Sequence, residues 1–138
     1  MERALRDFVW QRAKGCCEYC QLPEASSVLP FHIDHIQARK HRGQTVAENL
    51  ALACYDCNSY KGPNIAGIDV PGDVITRLFH PRQDEWATHF IWQGGLIVPR
   101  TGIGRVTLYV LVLNDPDRVV LRLALIQSGA FTPSTDAS

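Results

Sequence analysis

Apolar positions in the first 60 residues come in short bursts separated by polar, turn-rich stretches. Leu5, Phe8, Val9 and Arg12 fall near one face at helical spacing, and Gly15 can end the turn, so the pattern predicts a helix over residues 2–14. Residues 21–27, with Pro23 and Ser26-Ser27, read as loop. Val28 to Ile33 has strand character, Gln37 to Thr45 is polar and basic without period, and Leu50 to Ala53 reads as a second strand. A short helix is expected from Tyr55, broken or bent at Gly62-Pro63-Asn64. The predicted order is strand, loop, strand, helix.

Beyond residue 68 the apolar pattern is denser. Asp84 to Phe90 suits a short helix with Trp86 and Phe90 one turn apart. Phe90-Ile91-Trp92 and Leu96-Ile97-Val98 flank Gln93-Gly94-Gly95, a hairpin signal. Ile103, Val106, Val110 and Leu113 follow helical spacing and predict a helix, although the β-branched content also permits a strand. Asp115-Pro116 is a cap followed by a first-turn proline, opening a helix over 116–128 that Gly129 ends. The expected organisation is a core over residues 1–68, a C-terminal annex over 69–131 packed on it, and a disordered tail over 132–138.

Composition adds three exclusions. The chain has 138 residues, 46% apolar and 20% charged, which suits one domain with a real core. The longest apolar run, Leu108 to Leu113, is far short of the ~20 residues a spanning helix needs. Arg3, Arg6, Asp7, Arg12 and Lys14 interrupt the place of a secretory signal's apolar stretch, so a cytoplasmic protein is expected. Fourteen basic residues balance fourteen acidic ones, so no overall charge announces a nucleic-acid partner.

Cysteine changes the picture. Five occur, at 16, 17, 20, 54 and 57, and they form two knots, Cys17-Glu-Tyr-Cys20 and Cys54-Tyr-Asp-Cys57. Two residues between thiolates let a tight turn aim both sulfurs at one tetrahedral ion. Two such pairs predict a structural Zn²⁺ site of Cys17, Cys20, Cys54 and Cys57, with Cys16 spare. A closed four-thiolate site stabilises the fold and does no chemistry.

The loop between the knots holds the residues with chemical potential. Asp34 is a candidate carboxylate ligand for a hard divalent cation, and Asn58, beside the ligand Cys57, offers an amide oxygen from the opposite side. Neutral His35 suits a general base near pH 7. On an extended strand Asp34 and His35 point to opposite faces, so both can serve one site only where the strand ends or twists. Asn49 can hydrogen-bond the intervening loop and keep His35 aimed. Lys61 can neutralise a phosphate, and Arg39, Lys40, His41 and Arg42 form a basic cluster suited to a DNA backbone or to a solvated loop. His32 shares a strand face with Asp34 and reads equally as a further ligand, a phosphate contact or a half-exposed strand residue.

His-x-Asp-His-Ile, then Glu-Asn-Leu, then Cys-x-x-Cys-Asn-x-x-Lys-Gly resembles the HNH endonuclease family over roughly residues 15–66, and the two knots resemble its zinc-containing members. The resemblance implies an α+β fold. A ββα-metal core would be stabilised by a Cys₄ zinc site and would carry a mixed hairpin and helical C-terminal annex. It implies His35 as general base, Asp34 and Asn58 on a catalytic Mg²⁺ or Mn²⁺, and Asn49 at the motif's middle position. It further implies cleavage of DNA to a 3′-hydroxyl and a 5′-phosphate, with the ββα unit at the minor groove. Where the family usually has Gly-Gly after the first motif, this chain has His41-Arg42-Gly43. The expected function is a metal-dependent endonuclease acting on DNA, with a homodimer or a partner protein supplying any high specificity. The rival expectation is a zinc-dependent DNA-binding module without catalysis.

Overall fold

The computed structural model describes residues 1–133, so most of the tail expected over 132–138 lies outside the described residues. Helix α1 (Arg3–Arg12) buries Val9 completely and lays Leu5 and Trp10 against the core. It stops where Lys14 and Gly15 take left-handed φ of 55° and 69°. Arg12 then reaches across to the carbonyls of Ala47 and Leu50, tying the helix end to the start of the second strand.

Strand β1 (His32–His35) pairs antiparallel with β2 (Leu50–Ala53), with Asp34 opposite Ala51 and His35 opposite Leu50. The first strand begins four residues later than the apolar stretch from Val28 suggested. Val28 is fully exposed and Leu29 nearly half exposed. Pro30, which has no N–H, precedes the strand, and β2 offers only four residues to pair with. All four residues of β2 are buried, with α1 and α2 (Tyr55–Lys61) packed against it. The ββα unit therefore forms as the sequence suggested.

A second hairpin, β3 (Ala66–Asp69) with β4 (Val74–Arg77), was not expected. Its signal is the Val70-Pro71-Gly72-Asp73 turn, which the short, weakly alternating strands on either side disguise. Strand β3 runs through the position where the core was expected to give way to the annex. Helix α4 (Gly102–Val110) lies directly on it: a Cβ at Gly67 would sit 2.8 Å from Val106 Cγ1.

Helix α3 is only Trp86–His89, because Phe90 already opens β5 (Phe90–Gln93), which pairs with β6 (Leu96–Pro99) as the hairpin signal predicted. Helix α5 (Pro116–Ser128) is capped by Asp115, whose side chain accepts from the Asp117 N–H, and ends at Gly129 with φ 80°. Its polarity is inverted. It buries Arg118 and Arg122, one turn apart, and exposes Val120, Leu121 and Leu123. The inward arginines meet backbone carbonyls. Arg118 donates to Leu111 and Val112, and Arg122 donates to Gly95 and Leu113.

One buried cluster runs through both halves, from Val9 and Leu52 to Phe79, Phe90, Ile97 and Leu113. Phe79 is its hinge, edge-on to Tyr19, His89 and Phe90. Trp86 and Trp92 stack at 5.5 Å between centroids, and their indole N–H groups donate to the Tyr19 carbonyl and to Gln21 Oε1. The annex aromatics thus pack inward onto the first cysteine knot. Among the described residues, no helix is long and apolar enough to cross a membrane.

Candidate metal centre and nuclease cleft

The sulfurs of Cys17, Cys20, Cys54 and Cys57 all lie within 4.8 Å of one another, and all four residues are buried. Zn–S bonds of about 2.3 Å put tetrahedral sulfurs about 3.8 Å apart. The Cys20 and Cys54 sulfurs are 3.7 Å apart, which fits. In each knot the first sulfur accepts the backbone N–H of the second cysteine at 3.4 Å, the turn that the two-residue spacing requires. Cys16 stands outside the set, half-buried, with its sulfur toward the Lys14 carbonyl.

Burial pushes the Cys17 and Cys57 thiols well up, while hydrogen bonds from the neighbouring cysteines hold Cys20 well down. Four thiolates cannot share this space without a cation, so metal binding here expels protons. With zinc the set keeps a net charge of −2. The compensating charge comes from α5: Arg118 Nη2 lies 2.9 Å from Cys57 Sγ and 3.8 Å from Cys54 Sγ. Burial alone would lower the Arg118 pKa, but the Cys57, Cys20 and Cys54 charges outweigh it and hold the guanidinium above its ordinary value. No motif pointed to Arg118. The available signal was two arginines one turn apart on a helix whose opposite face is apolar.

Cys57 leads directly to Asn58, and β1 ends at His35. Asp34, His35 and Asn58 therefore line one open cleft of about 320 Å³, together with Arg39, Lys40, Gly62 and Pro63. The end of the strand lets neighbouring residues serve the same cleft. His35 Nε2 lies 2.9 Å from Thr45 Oγ1, a partner that sequence reasoning missed. The Asn58 side chain makes no hydrogen bond among the described residues. One carboxylate and one free amide oxygen are hard donors that suit Mg²⁺ or Mn²⁺.

Asp34 is 4% exposed, and both its oxygens are held: Tyr19 Oη donates to Oδ2 at 2.6 Å, and Lys61 Nζ donates to Oδ1 at 3.1 Å. Burial pushes its carboxyl above the ordinary range, only partly opposed by Lys61 and Tyr19. Burial and the Asp34 charge push the Tyr19 phenol up, so it stays a donor. Lys61 corrects an expectation. It is 1% exposed, and its three protons go to Asp34 and to the carbonyls of His35 and Ile36. An ammonium with every donor committed inside the fold does not reach a phosphate. His32 lies outside the cleft, exposed, with its ring 6.2 Å from that of Tyr55.

The loop between the strands is braced by Asn49. Its Oδ1 accepts from the Gln37 N–H, and its Nδ2 donates to the carbonyls of Gln37 and Gln44. Gly43 makes the close approach possible, since a Cβ there would lie 1.7 Å from Gln37 O. Arg42 adopts φ 70°, ψ 21°, the left-handed conformation a glycine would take freely. Arg39, Lys40 and Arg42 are exposed and form no ion pair among the described residues. Arg105, by contrast, is bidentate with Asp69.

Residues 17–64 match the family model of the HNH endonucleases. The match begins at the first clustered cysteine and takes in β1, β2, α2 and the cleft, so this segment is similar to an HNH endonuclease domain. No curated protein and no solved structure matches the chain.

Two substitutions separate the roles assigned to buried cations. Arg118→Met should lower zinc affinity by about 10- to 100-fold, as loss of a partner to a metal's ligand does, read by competition with a chromophoric chelator. Lys61→Met leaves a buried carboxylate without its cation and should cost about 3–5 kcal/mol of stability, read by urea denaturation. A Lys61 variant that keeps full stability and loses only DNA affinity would restore the phosphate role.

Proposed function

We propose that the HNH domain at residues 17–64 hydrolyses DNA phosphodiester bonds, with His35 as general base. The observation that supports this reading best is the convergence of Asp34, His35 and Asn58 on one open cleft that Arg39 and Lys40 also line. A zinc module that only bound DNA would need none of the three.

His35 Nε2 lies 2.9 Å from Thr45 Oγ1, and the role of base requires the tautomer in which Nε2 carries the proton and donates it there, leaving the lone pair on Nδ1. Nδ1 takes a proton from water as the water oxygen attacks phosphorus and the bond to the 3′-oxygen breaks, and the leaving 3′-oxygen takes up a proton from solvent. The products are a 5′-phosphate and a 3′-hydroxyl, as the family resemblance implies. A divalent cation on Asp34 and Asn58 would supply the positive charge that the phosphate and the leaving oxygen need. Asn49 holds the 37–44 backbone and thereby the orientation of His35. Arg39, Lys40 and Arg42 hold the DNA backbone. The chain's zero net charge makes this a local attraction with weak long-range steering.

Plasmid nicking with Mg²⁺, Mn²⁺ or EDTA tests the reading. His35→Ala should lower the cleavage rate by about 10²- to 10⁴-fold with DNA binding retained, and Asp34→Ala should likewise abolish metal-dependent nicking. Cleavage by His35→Ala at the wild-type rate would remove His35 as the base, and binding without any nicking would favour the non-catalytic module. Arg42→Gly should stabilise the fold by about 1 kcal/mol by relieving the left-handed backbone. It should also weaken DNA binding, with a salt-dependence slope shallower by about one.

A further inference from the structure

We propose that Tyr19 is a positioning residue that transmits the geometry of the cysteine cluster to the carboxylate of Asp34. The proposal rests on the nuclease reading above and deepens it by assigning what holds the cation-binding carboxylate in place.

Tyr19 lies between Cys17 and Cys20, so its backbone is part of the first knot's turn. Its side chain is 1% exposed. The ring is fixed by Phe79 edge-on at 6.4 Å, and the Tyr19 carbonyl accepts from the Trp86 indole. From that anchored position the hydroxyl spans to strand β1 and donates to Asp34 Oδ2 at 2.6 Å. The other oxygen, Oδ1, is held by Lys61, one turn beyond Asn58 on α2. Two donors from two elements thus clamp the carboxylate, and each oxygen keeps a further lone pair for a cation in the cleft that Asp34 lines.

The two oxygen ligands are then tied to the same four sulfurs by different routes. Asn58 is joined to Cys57 by a peptide bond. Asp34 is joined to the turn of Cys17 and Cys20 by one hydrogen bond from Tyr19. A tyrosine that merely satisfied its own buried hydroxyl would leave cation affinity untouched when that hydroxyl is removed. A tyrosine that aims Asp34 would not.

The test is Mn²⁺ binding to the zinc-loaded full chain, read from the free-Mn²⁺ electron paramagnetic resonance signal, in wild type, Asp34→Ala and Tyr19→Phe. Tyr19→Phe should bind Mn²⁺ about 10-fold more weakly, the loss typical when a ligand's hydrogen-bond partner is removed. The thiolate-to-cobalt absorption of the Co²⁺-substituted cluster should be unchanged, showing an intact knot. Wild-type Mn²⁺ affinity in Tyr19→Phe overturns the proposal and leaves the nuclease reading standing. Absence of any Asp34-dependent Mn²⁺ site in the wild type overturns both. Should Tyr19→Phe fail to fold, wild type labelled at tyrosine Cζ answers the same question. Tyr19 is the buried one of the four tyrosines. Its resonance should shift on saturation with Mg²⁺, and an unmoved resonance overturns the proposal.

Discussion

Four buried cysteine sulfurs within 4.8 Å of one another are the constraint from which the rest of this structure follows. They bring the turn at residue 17 against the start of α2 and so close a 33-residue segment, residues 21–53, into a loop with fixed ends. Inside that loop two four-residue strands suffice. Hairpins that short are marginal alone. Here the cluster at one end, α1 on the flank and Arg12 across the β2 start supply the missing support. Asn58 inherits its place from Cys57, and Asp34 is reached from the opposite knot through Tyr19.

The annex belongs to the same constraint. A four-thiolate zinc is an anion of net charge −2, and an anion in a dry core needs a cation with good geometry. Arg118 is that cation, delivered by a helix that turns its arginines inward and exposes Val120, Leu121 and Leu123. Arg122 sits one turn further on, 5.5 Å from the Trp92 ring centroid, and the Trp92 indole returns to Gln21 beside the first knot. The two halves share a core because they share this charge. Overall neutrality of the chain thus hides strong local separation. Arginines are spent inside against sulfur and carbonyl groups, while those of the 39–42 loop remain in solvent.

What was legible in the sequence was whatever local spacing encodes. Cys-x-x-Cys twice defined the cluster and correctly left Cys16 out. The period of Ile103, Val106 and Val110 located α4, with Leu113 falling in the turn beyond it, and the Asp115-Pro116 cap located α5. The placing of Asp34, His35 and Asn58 in one cleft also agrees with the motif order. What was hidden depends on partners far along the chain. Lys61 looks like a free phosphate ligand until Asp34 and two carbonyls of β1 and its exit are seen around it. Val28 looks like a strand residue until β2 proves too short to pair with it. Thr45 and Tyr19 carry no motif of their own, because each acts through a residue that does.

The inward face of α5 also bears on the order in which the molecule can be completed. Arg118 follows Cys57 by 61 residues. A growing chain therefore presents every cysteine and every cleft residue well before the guanidinium that balances them has been made. The guanidinium that faces the cluster thus comes from the last helix of the described fold.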